Sequence, residues 1–298
     1  MLQYEYVRSA LKLGLQLEGK LGVNPYKLGM IGGSDEHTGV YTMREENYFG
    51  QFTVSEPSAT RWQTPLLKWK DGKVAVSVWQ EQASGIGGVW ARDNTREAIW
   101  DALKRKDVYA TTGDRPIVRV FGGWDFAPSD LYRNDFAENG YANGVPMGGD
   151  LTKAPDGKRP VLMVYALRDP DGPNLDRIQI VKGWLNKDGT TGERIFDVAV
   201  SGKRKIGPDG RCKTLVGSTV DVANASYSNS IGAPLLSAYW KDPAFDATQH
   251  AFYYVRVIQI PSPRWTAYDQ KRFGIKMAAN VPMTTTGRAY TSPIWYKP

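Results

Sequence analysis

The chain is 298 residues long, 41% apolar and 23% charged, which excludes a disordered tail, a collagen-like fibre and a coiled coil. Its one cysteine, Cys212, leaves no intramolecular disulfide and no cysteine-built zinc site. The net charge of +7 divides as +1 over residues 1–115 and +6 over the rest, without the clustered basic stripe that would suggest nucleic acid as a partner.

Val7, Ala10, Leu11, Gly14, Leu17 and Leu21 recur at three- and four-residue spacing and predict a helix that stops at Gly22. Asn24-Pro25 then marks a turn, and Lys27 to Ile31 reads as a short buried strand. Lys73 to Trp79 alternates as a strand does, and Ser84 to Gly88 reads as a glycine-rich, mobile loop. Asn94 and Glu97 form a capping box for a second helix with Ala98, Ile99, Ala102 and Leu103 on its apolar stripe. Lys104, Arg105 and Lys106 suit the dipole of its last turn. Val108 to Gly113 closes this half as a strand and turn.

Beyond residue 116 the pattern changes. Ile117–Phe121, Val161–Leu167, Ile178–Val181, Ile195–Val200, Phe252–Ile260 and Ala289–Trp295 read as strands, with no strong helix signal between them. That succession predicts an antiparallel β-sandwich over 116–298, after an α/β unit over 1–115. No apolar run approaches the ~20 residues of a membrane span. The first residues carry no export signal, so a cytoplasmic location is expected.

Histidine is scarce: His37 and His250 are the two in the chain, so a three-histidine zinc site cannot be built from one copy. Asp35 and His37 follow the first predicted strand at i and i+2, so both side chains can reach one point. A carboxylate and an imidazole meeting there suit Zn²⁺, Mn²⁺ or iron as a divalent metal cofactor. On spacing alone, Asp-x-His is more often a surface pair. Glu36 should point away, and Ser34 could support the ligands by hydrogen bonding.

The run Leu21 to Gly39, which includes Gly32-Gly33-Ser34-Asp35-Glu36-His37, resembles the late part of a bacterial family known as a domain of unknown function. That family is related to the PHP (polymerase and histidinol phosphatase) superfamily of metal-dependent hydrolases. Glu45–Gly50, Asn94–Trp100, Tyr109–Gly113, Tyr253–Val257 and Thr291–Trp295 extend the resemblance over most of the chain. It implies an incomplete PHP-like β/α barrel followed by the β-sandwich, with Asp35 and His37 as catalytic metal ligands. It implies hydrolysis of a small-molecule phosphate or carboxylic ester, and Arg115 is the candidate for holding an anionic substrate. The His-x-His element and further ligands of full-length relatives have no counterpart here, so a homo-oligomer or a missing N-terminal half is expected to cover the open barrel.

Two rival functions compete. A serine-type ester hydrolase could draw its nucleophile from Ser34, Ser77 or Ser84 with His37 as base, but Gly-x-Ser-x-Gly is lacking. A glycan-binding β module could use Trp124, Trp184, Trp240 or Trp265, though such rings more often fill cores. His250 reads as a strand-edge residue and Cys212 as a surface thiol between Arg211 and Lys213.

Overall fold

The structure, a computed structural model, describes residues 6–83 and 85–298. Helix α1 (Val7–Leu21) ends at Gly22, whose φ of 77° is the left-handed cap that glycine permits. Its inner face buries Leu11 and Leu15 with Val181, Phe252 and Trp295. The buried strand expected over 27–31 does not form: these residues take no regular secondary structure, join no ladder, and leave Leu28 and Ile31 exposed. The continuation of this segment runs close to the edge of a sheet: a Cβ on Gly32 would stand 2.4 Å from the Ile86 carbonyl oxygen, so only glycine allows the approach.

Strands β1 (Pro65–Lys68) and β2 (Val74–Ser77) form a separate antiparallel hairpin. Next come β3 (Ile86–Val89), α2 (Arg96–Arg105) and β4 (Val108–Thr111). The cap of α2 is Thr95, one residue after the expected Asn94; its Oγ1 accepts the Ala98 N–H at 3.2 Å. The chain continues through β5 (Ile117–Gly123), α3 (Phe136–Asn143), β6 (Val145–Pro146), β7 (Asp150–Thr152) and β8 (Val161–Leu167). The long strands β9 (Leu175–Leu185) and β10 (Thr191–Val200) precede β11 (Leu235–Lys241) and β12 (Ala251–Gln259). Last come β13 (Ser262–Pro263), α4 (Trp265–Phe273), β14 (Thr284–Thr285), β15 (Arg288–Thr291) and β16 (Ile294–Lys297).

Two sheets dominate. The larger runs β10-β9-β12-β15-β4-β3, with β16 and β7 attached beside β12; the smaller runs β11-β8-β5-β6. Val118, Val120, Leu162 and Val164 of the smaller sheet meet Ile178, Ile180, Val255 and Val257 of the larger in one core. At about 25 cal/mol per Å² of apolar surface, this shared core is the main driving force for the fold.

The expected incomplete PHP-like β/α barrel does not form. Barrels of that type need parallel strands joined by crossover helices. Here β3 and β4 flank α2 yet pair antiparallel, and β4 continues antiparallel onto β15. Among the described residues no closed barrel is present, and the one parallel pair joins β16 to β7. The larger sheet combines β3 and β4 with strands from the end of the chain, so it crosses the division at residues 115 and 116.

Candidate functional site

Asp35 and His37 converge. His37 Nε2 lies 3.3 Å from Asp35 Oδ1, and both side chains face solvent, 54% and 73% exposed for His37 and Asp35. Burial alternates along this segment, with Ile31, Gly33, Asp35 and His37 outward and Glu36 inward, as i and i+2 spacing requires. Asp35 has φ of 54°, a left-handed conformation that aspartate tolerates better than most residues. The imidazole is not loose: it stacks on Phe52 at 4.5 Å and 13°, while the His37 N–H donates to the Gln51 carbonyl at 2.9 Å.

The loop carrying Gln51 and Phe52 is tied down from below. Arg61 is 2% exposed and donates to the carbonyls of Tyr48, Phe49 and Ser55 at 3.0, 3.2 and 2.9 Å. Its Nε and Nη2 reach Asp269 of α4 at 2.5 and 2.9 Å, and its guanidinium lies 4.4 Å from the ring of Trp265. This buried pair satisfies its own hydrogen bonds, the condition under which burying two charges is tolerated. Gly50, with φ of 109°, completes the tight course, since a Cβ there would strike the Ser55 carbonyl oxygen at 2.2 Å.

A second polar locus lies nearby. A small cavity of about 70 Å³ is lined by Glu45, Glu46, Asp114 and Asp171, with Tyr227 and Tyr268. Glu45 accepts from the Trp265 N–H at 2.7 Å and the Ala83 N–H at 3.3 Å, yet burial pushes its carboxyl up. Burial and then the neighbouring Asp169 charge push Asp114 up, against the nearby Gln259 amide and the Arg44 charge. The Tyr268 hydroxyl is raised to about 12, first by burial and then by Glu46. The backbone connects the two loci: Ala83 contacts Glu45, and a Cβ on Gly85 would meet the Thr111 and Gly33 carbonyl oxygens. A space of this size suits a small polar group, not the body of a substrate.

The other candidates lie as follows. Ser34 accepts the Glu36 N–H at 3.4 Å, supporting the turn and not a metal ligand. Arg115 spends its guanidinium on Asp169 and Asp171 at 3.4 and 3.5 Å, beside the acidic cavity and not with the Asp35–His37 pair. Ser77 ends β2, and Ser84 lies outside the described residues. Trp265 is fully buried, and Trp124 and Trp240 pack against other rings, so these faces are filled. Trp184 donates to Asn186 at 2.9 Å. Cys212 is buried, not on the surface, and His250 precedes β12 with Nδ1 3.6 Å from Glu18.

Among the described residues no three His, Cys, Asp or Glu side chains are grouped to hold a metal. Asp35 and His37 have the right donor chemistry, but they supply two ligands. Sequence reasoning missed Glu45 and Asp114 as partners; the adjoining acids at 45 and 46 and the Thr-Thr-Gly-Asp turn were the available signals. The model of a family described as protein of unknown function (DUF3604) matches residues 1–298. No curated protein and no solved structure matches the chain.

Proposed function

The chain belongs to the DUF3604 family, and from that premise we propose that it is a metal-dependent hydrolase of the PHP type, acting on a phosphate or carboxylic ester. The carrying observation is the approach of His37 Nε2 to Asp35 Oδ1 at 3.3 Å on the solvent side of one segment. A carboxylate and an imidazole together suit Zn²⁺, Mn²⁺ or iron. A bound ion of this kind lowers the pKa of a water and polarises a phosphoryl or carbonyl oxygen. Asp35 and His37 would hold it, Phe52 fixes the plane of the imidazole, and the Gln51 carbonyl fixes its backbone.

Two donors rarely hold a catalytic metal, so further ligands must come from a second polypeptide surface: another copy, or an additional part of the protein. Leu21, Val23, Leu28, Val40 and Tyr41 support that requirement. Each is at least 43% exposed, and they fall within 21 residues of chain around the pair. Large apolar side chains left in water at this density along one segment favour a surface that a partner covers.

Metal analysis of the purified protein after loading with Zn²⁺, Mn²⁺ or Fe²⁺ tests the reading. Wild type should retain metal; Asp35→Asn and His37→Ala should each lose it, while the metal-free melting temperature changes little because both side chains are exposed. Hydrolysis of generic phosphate and acyl esters should vanish with chelator. Equal metal content in wild type and both variants would overturn the reading.

A further inference from the structure

A groove of about 730 Å³ opens between the start of α1, residues 30–31, and strands β4, β12 and β15. That volume lies within the range of small-molecule sites. Leu11, Met30 and Ile31 give it an apolar wall, and Tyr254 and Tyr290 border its charged end. Its charges are unevenly matched. Arg8 and Lys12 share the carboxylate of Glu193 at 2.8 and 3.3 Å. Arg256, half-buried, donates from Nε and Nη2 to the neutral Gln179 Oε1 at 2.8 and 2.5 Å, and among the described residues it pairs with no carboxylate. Among the described residues three cations thus face one anion, and the most enclosed of them has no carboxylate partner. Enclosed charges are ordinarily paired.

We propose that this groove binds an amphipathic anion, a carboxylate or phosphate on a medium-length apolar body, with its charged head on Arg256 and its body along Met30 and Ile31. Ile31 lies four residues before Asp35, about 13 Å at most along the backbone. On the hydrolase reading, on which this last step rests, the groove holds the body of the substrate, and the substrate class is an ester carrying an anionic, apolar-bodied group.

Calorimetric titration of the metal-free protein, in chelator, with octanoate and with 1-octanol tests the binding. Octanoate should bind about tenfold tighter or better, the effect of one hydrogen bond to a charged group. Arg256→Gln should abolish that preference while leaving octanol unchanged, and Arg256→Lys should keep part of it. Ile31→Glu, at a position 60% exposed where folding is not at stake, should weaken both probes. Equal affinities for the two probes in wild type, a preference that survives Arg256→Gln, or octanoate binding indifferent to Ile31→Glu would overturn the proposal. Loss of octanoate binding at protein concentrations where light scattering shows a dimer would also overturn it, since a second copy would then fill the groove. Because chelator is present throughout, failure to bind metal or to turn over ester does not touch this result, and failure here does not touch the metal test.

Discussion

Residues 23–60 and the paired strands β9 and β12 are built on opposite principles. Residues 175–183 of β9 are all buried, and both strands have ladder partners on each side. Between residues 23 and 60 the longest regular element is a three-residue turn of 3-10 helix, and apolar side chains such as Val23, at 64%, stand in water. The candidate chemistry lies in this second region. There, position is set by a few long-range ties and not by repetitive hydrogen bonding, so single residues should matter very unequally.

The largest effect is expected where a tie is cut from beneath. Asp269→Ala leaves the Arg61 guanidinium buried without its carboxylate and should cost about 3–5 kcal/mol in urea unfolding. Trp265→Ala, which removes the ring under the same guanidinium, should cost about 3–5 kcal/mol. A loss below about 1 kcal/mol for either would break the contrast between few strong ties and many weak ones. Leu15→Ala should cost about 2–5 kcal/mol from the buried face of α1, whereas Leu21→Ala on the same helix, 67% exposed, should fall within about 0.5 kcal/mol of wild type.

The pH response should separate regions too. Burial alone would raise the Asp197 carboxyl, but the Cys212 N–H, Gln179, and the Arg177 and Arg211 charges outweigh it and hold the group below the usual range. Its contribution is therefore present above the ordinary carboxylate range and lost as pH falls through it. Asp114 has the opposite sign: its raised carboxyl favours the fold while protonated, and that stability is lost as pH rises through the ordinary range to the raised value. Melting temperatures should show Asp197→Asn destabilising at pH 7 and progressively less so as pH falls below the ordinary carboxylate range. Asp114→Asn should stabilise at pH 7 and lose that advantage near pH 4. The smallest effect belongs to Val23→Ser, within about 0.5 kcal/mol, unless a partner covers the surface, in which case association weakens and stability does not.

Local signals were legible where local forces decide. The period of α1 and its glycine stop follow directly from spacing, and β8 occupies the residues its Val161–Leu167 run indicates. The strand read over Ala289–Trp295 is really two, β15 and β16, divided at Ser292-Pro293 because proline cannot donate to a ladder. β11 was missed, since its alternation of Leu236, Ala238 and Trp240 follows a stretch rich in Ser, Asn and Gly. α4 was missed for a tertiary reason. Its buried face includes Thr266 and Asp269, polar residues whose place makes sense only once Arg61, 208 residues away in sequence, is beside them. The pairing of β4 with β15 was equally hidden, and it turned an expected barrel remnant into part of an antiparallel sheet. At the candidate site the i and i+2 geometry of Asp35 and His37 was readable, but Phe52 beneath the imidazole was not, because nothing local announces a stacking partner fifteen positions later.

Arg61 has one further consequence. By gathering the carbonyls of Tyr48, Phe49 and Ser55 onto a side chain locked to α4, it makes the outline of a surface loop depend on an anchor that solvent never reaches. A chain shortened before residue 265 would keep Asp35, His37 and Phe52 in its sequence and still lose the floor that aligns them. Excision of the N-terminal segment as a minimal unit should therefore yield the right side chains in the wrong arrangement.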